Sequence, residues 1–164
     1  MVPLSLAVYR EPMDLDWPAV AVGFAWGVGY LAVLSVPVFS GLRWTAVPLV
    51  LASGLLAGAA AGRLARRDDD AGGRHGLAAG LLTGTCFTLG FWTALSTPGL
   101  SVGVFHDFNY LLATSAGRVR MIATHGPLVV STLAVLGGAA VAALGYVAGR
   151  EAPKRGEDPR FVEL

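Results

Sequence analysis

The stretch GLLAGAAAGRLARRDDDAGGRHGLAAGLLTG, residues 54–84, sets a short charged run between two apolar segments in which glycine returns at every fourth position. Gly54, Gly58 and Gly62 precede the charges, and Gly76, Gly80 and Gly84 follow them. Residues four apart lie on one face of an α-helix, so each triplet forms a groove in which a neighbouring backbone can sit. Small residues at this spacing are how helices associate in lipid, where burial of apolar surface gives no drive. The reading that follows is two membrane helices joined by a charged turn.

Outward from this hairpin the chain continues in the same manner. Of its 164 residues, 54% are hydrophobic and 14% charged, and the mean hydropathy is +0.61. A soluble domain of this size needs more charge on its surface. Four apolar blocks are long enough to span: residues 17–39, 44–64, 76–97 and 122–148. The first is roughly 34 Å long at helical rise, enough to cross the hydrocarbon core. Asp16 stands where it can cap that helix, and Pro18 falls in the first turn, where a missing N–H is harmless. The expected fold is all-α: an integral membrane four-helix bundle forming a single transmembrane domain over residues 1–164. The N-terminus lacks the cationic start, short apolar core and cleavage site of a secretory signal, so the first block is expected to be retained.

Arg and Lys are distributed unevenly beside the spans. Arg10, Arg63, Arg66, Arg67, Arg74, Arg150, Lys154, Arg155 and Arg160 fall on the side shared by both termini; Arg43, Arg118 and Arg120 fall on the other. Nine against three places both termini in the cytoplasm by the positive-inside rule. Trp17, Trp44 and Trp92 lie near span ends, as interfacial anchors do, and Trp26 lies deeper.

The halves echo one another. Gly23, Gly29 and Leu34-Ser35-Val36-Pro37 match Gly84, Gly90 and Leu95-Ser96-Thr97-Pro98 at an offset of 61; Pro48-Leu49-Val50 matches Pro127-Leu128-Val129 at 79. This predicts two tandem two-helix hairpins related by an axis along the membrane normal, the second carrying an outer-loop insertion at 99–121. The remaining packing residues are Gly23 and Gly27 in the first span and Gly138 and Gly145 in the last. Ala134, Gly138 and Ala142, and Gly145 and Gly149, repeat the four-residue spacing.

Chemistry is sparse. No Asp, Glu, Lys or Arg lies well inside a span, whereas ion-coupled carriers keep such a group near the midplane. The hydroxyls of Ser35, Ser53, Thr83, Thr85, Thr88, Ser131 and Thr132 are expected to bond back to their own helices. The single cysteine, Cys86, excludes an intrachain disulfide and is expected to be a buried, inert thiol. In the outer loop, His106, Asp107, Asn109 and the nearby His125 are the candidates for a ligand site. Against that stands an amphipathic helix at the interface, with Phe105, Phe108, Leu111 and Leu112 on its apolar face. No metal set, cofactor motif or nucleic-acid patch is present in the sequence, and neither catalytic residues nor a cofactor are expected.

Residues 54–84, with the glycine-rich last span ending Gly149-Arg150-Glu151, resemble small, uncharacterised, glycine-rich multi-pass membrane proteins of halophilic archaea. The resemblance implies a plasma-membrane location and carries no activity. The expected role is structural or accessory, with the lipid bilayer as partner and a homo-oligomer or a membrane-complex partner allowed. The alternative is a channel or uncoupled carrier for a small solute, its path lined by Gly, Ser and Thr.

Overall fold

A computed structural model describes residues 15–65, 71–97, 99 and 102–152. Among the described residues six α-helices follow in order: α1 (Trp17–Leu34), α2 (Ala46–Leu64), α3 (Ala71–Ser96), α4 (Val104–Ala116), α5 (Arg120–Thr124) and α6 (Gly126–Glu151). There is no strand among the described residues. α1, α2 together with the preceding turn, α3 and α6 are long and apolar enough to cross a membrane.

Proline sets several boundaries. α1 stops short of the expected residue 39, because Pro37 removes a helical donor and opens a separate 3-10 turn, Pro37–Phe39. The residues expected to start the second span form another 3-10 turn, Arg43–Thr45, before α2. Pro127 occupies the first turn of α6, so the expected start at residue 122 becomes a separate short helix, α5. α3 departs the other way: it begins at Ala71, five residues ahead of the expected start, and runs through Gly72 and Gly73. Isolated glycine weakens a helix, yet these two lie against α6, and packing overrides propensity.

α2 and α3 form a central pair. α6 packs along both of them, α1 packs on both from another side, and α1 and α6 scarcely touch. The α2–α3 contact therefore has no α1–α6 counterpart, and the bundle does not show the two-fold relation that the repeat predicts. The buried faces do not follow the sequence register either. Ala19, Val20, Gly23, Gly27, Leu31 and Leu34 on α1 correspond in burial to Ala79, Gly80, Thr83, Phe87, Phe91 and Ala94 on α3, an offset of 60 at every position. One residue is about 100° of helix rotation. At offset 79, buried Ser53, Gly54 and Ala57 fall opposite exposed Thr132, Leu133 and Leu136. Each face is set by its actual neighbours: α2 is flanked by three helices, whereas α6 packs chiefly on two.

The outside is apolar. Trp26 on α1, Leu81 and Leu89 on α3, and Leu128, Val135 and Leu136 on α6 are all more than half exposed, an arrangement stable where the solvent is hydrocarbon.

Candidate functional site

Two regions carry the polar and steric specificity: a glycine junction toward the end bearing Arg63, Arg74 and Arg150, and a cap at the opposite end built on α4.

In the junction, α6 lies so close to α2 and α3 that side chains are excluded. A β-carbon on Gly54 would strike the Val141 carbonyl, one on Gly58 the Gly145 carbonyl, and one on Gly62 the Gly149 carbonyl. From α3, Gly76 faces Gly145 and Gly149, Gly80 faces Ala142 and Gly145, and Gly84 faces Gly138. Gly23 and Gly27 on α1 perform the same role against α2 and α3: Gly23 abuts the Ala57 carbonyl and Ala79, and Gly27 abuts Thr83 and Ala57. The ten packing glycines expected from spacing, and Gly149 with them, thus lie at helix contacts within the chain. Thr88 adds a polar tie, its hydroxyl donating to the Gly84 carbonyl at 2.8 Å and across to the Ala134 carbonyl of α6 at 3.0 Å.

Toward the other end aromatic side chains replace glycine, and the first turn of α4 enters the bundle. Val104 and Phe105 are buried with Leu31 and Leu34 of α1, Ala46 and Val50 of α2, Phe87, Phe91 and Ala94 of α3, and Ala134 of α6. The Phe105 ring stacks on Phe87 at 6.3 Å between centroids, and Phe108 meets Phe91 edge-on at 5.2 Å. Gly103 makes this entry possible. Its φ is +54°, and a β-carbon there would strike the Leu34 carbonyl, so both conformation and space require glycine. The helix is amphipathic as expected, but its first turn is wedged into the protein rather than resting on the interface.

Asp107 lies within this wedge and is 3% exposed. Its two carboxylate oxygens accept the backbone N–H groups of Gly41, at 2.9 Å, and Leu42, at 3.0 Å. The sharp turn between α1 and α2 presents those amides because Gly41 has φ +96° and Arg43 φ +51°. Arg43 then lies 5.9 Å from the ring centroid of Tyr110 on α4, within cation–π range. Asp107 is therefore a structural clasp. The other ligand candidates do not share its environment: His106, Asn109 and His125 are exposed. Among the described residues, no group of three or more His, Cys, Asp or Glu is placed to hold a metal ion.

Three polar groups depart from the sequence reading. Asp16 occupies the N-cap position of α1 without a side-chain cap bond; its backbone N–H donates instead to Nε2 of His75 at 2.7 Å. Nδ1 of His75 lies 2.6 Å from the Ala71 carbonyl, so the ring is the Nδ1–H tautomer, 4% exposed, tying α1 to α3. Thr83 does not bond back to its helix: its Oγ1 is buried without a partner. Cys86 is exposed rather than buried, because it projects from the outer face of α3.

The chain matches no family model, no curated protein and no solved structure.

Proposed function

We propose that this chain is a non-enzymatic protein of the plasma membrane, with both termini in the cytoplasm, acting as a structural or accessory component of a membrane assembly. The observation that carries this reading is the contact of backbone on backbone at Gly58, Gly76 and Gly145. It fills with main chain the space in which a path between helices would run. The α4 end is filled in turn by Phe87, Phe91 and Phe105. A channel lined by Gly, Ser and Thr needs those faces free, and here they are occupied.

The same occupancy bears on partners. Because the glycine faces meet within the chain, a second copy or another subunit must dock on the exposed apolar surface. One such surface is the shallow groove on α1 formed by Val22, Ala25, Trp26, Gly29 and Val33, bordered by Leu56 of α2.

Reconstitution tests the choice between the two roles. Vesicles containing the purified protein should leak ions and small neutral solutes no faster than empty vesicles, and mild detergent extraction should recover the chain in a larger assembly. Saturable solute flux that Gly58→Leu abolishes would establish the channel instead. For orientation, a thiol introduced by Lys154→Cys in a Cys86→Ala background should react only with reagents applied from the cytoplasmic side.

A further inference from the structure

We infer that α4 is a removable plug whose docked state is held chiefly by the clasp of Asp107 on the Gly41 and Leu42 amides. This goes beyond the structural or accessory role and does not depend on it. The inference starts from the two unlike tiers of the bundle. Near the Arg-bearing end the helices touch through glycine, with no separate filler among the described residues. At the other end a segment that is not a spanning helix, the first turn of α4, packs among buried residues of α1, α2, α3 and α6.

What holds that turn in place differs from what holds the spans. Val104 and Phe105 gain little from the cleft relative to lipid, because acyl chains solvate them about as well as Leu34 or Phe87 do. On leaving the cleft, the apolar face of α4 can lie on the hydrocarbon boundary as an amphipathic helix. The parts of docking that lipid cannot replace are polar: two charge-assisted hydrogen bonds to a buried carboxylate and, on the exposed side of α4, the contact of Arg43 with the Tyr110 ring, of which the buried pair is the stronger. Asp107 is also the only acidic residue between Asp70 and Glu151, so no neighbouring carboxylate of that segment can take over. Glycines flank the plug, with Gly99 at φ +82° and Gly103 at φ +54° before it and Gly117 after it. Beyond its first turns α4 alternates exposed and half-buried residues, and Arg118, Val119 and Arg120 are exposed.

The test reads opening directly. In a Cys86→Ala background, Ala46→Cys places a thiol at a fully buried position in the same cluster as Val104 and Phe105. With the protein in lipid nanodiscs, a membrane-impermeant maleimide should label it slowly. Asp107→Asn, which keeps the shape but offers one acceptor in place of two, should speed labelling roughly tenfold or more, as expected from losing a charge-assisted bond. His106→Ala, on the exposed side of the same helix, should leave the rate unchanged. Equal labelling with and without Asp107→Asn would overturn the inference.

Should Asp107→Asn fail to fold, hydrogen exchange on the unaltered protein decides. Amides of residues 41–42 and 104–108 should exchange together, at one common rate, well before those of α2, α3 and α6. Exchange of 104–108 only together with the spanning helices would overturn it equally.

Discussion

Gly58 on α2 and Gly145 on α6 touch through their main chains: a β-carbon added to Gly58 would overlap the Gly145 carbonyl. In water such a pair would be held by the burial of surrounding apolar groups. In lipid that drive is absent, and association depends on the dispersion contacts and weak Cα–H···O bonds that only close backbones reach. Each is worth a fraction of a kcal/mol, so the seam works by repetition. Gly54, Gly58 and Gly62 on one side and Gly76, Gly80 and Gly84 on the other place α6 against main chain over about three turns of helix.

The wedge of α4 predicts a contrast between two glycines, both with positive φ. Gly103→Ala adds a β-carbon onto the Leu34 carbonyl, whereas Gly99 has open space around the corresponding position. We expect Gly99→Ala to cost about 1 kcal/mol of backbone strain, and Gly103→Ala to cost clearly more and to displace the first turn of α4. Denaturant titration in mixed micelles measures both. Equal losses would show that the close approach at Gly103 is unimportant.

Thr83→Val should stabilise the protein by about 1 kcal/mol. A buried hydroxyl without a partner carries a desolvation cost of roughly 1–3 kcal/mol, and Thr83 Oγ1 is such a group. It would lie 2.5 Å from a β-carbon at Gly27, so valine must keep the same compact shape. A loss of stability in the same titration would mean that the hydroxyl is bonded in the native protein, for example to an internal water.

At the other end of α1, His75→Phe should act locally. It removes the acceptor for the Asp16 N–H and the donor to the Ala71 carbonyl, a change of about 1–2 kcal/mol. The first turn of α1 should lose exchange protection while α6 keeps its own. Nitrogen chemical shifts of the unaltered protein should report the Nδ1–H tautomer; an Nε2–H ring would contradict the hydrogen bond from Asp16.

Much of this was legible in the sequence, and the exceptions share a cause. The spans follow from block length, and the contact glycines from their four-residue spacing, because both depend on near neighbours in the chain. Nothing in the sequence sets Asp107 apart from the other ligand candidates, because its partners are main-chain amides 66 and 65 positions away, and amides carry no sequence signature. His75 carries no signal in the sequence for a related reason: Gly72 and Gly73 make its surroundings look like a loop, and they lie helical against α6. The register of the apparent repeat misled because LSxP and PLV anchors record sequence likeness, whereas burial follows whichever helix is adjacent.

The most direct test compares two glycines on spanning helices. Gly145 faces the backbones of Gly76 and Gly80, while Gly29 has nothing within 4 Å of where a β-carbon would stand. In lipid, unfolding of Gly29→Leu should occur within about 0.5 kcal/mol of the unaltered protein, as surface substitutions do. Gly145→Leu should lose several kcal/mol or fail to assemble, since the clash is with main chain that cannot move aside. Equal stability of the two variants would contradict the claim that glycine backbone contacts hold this bundle together.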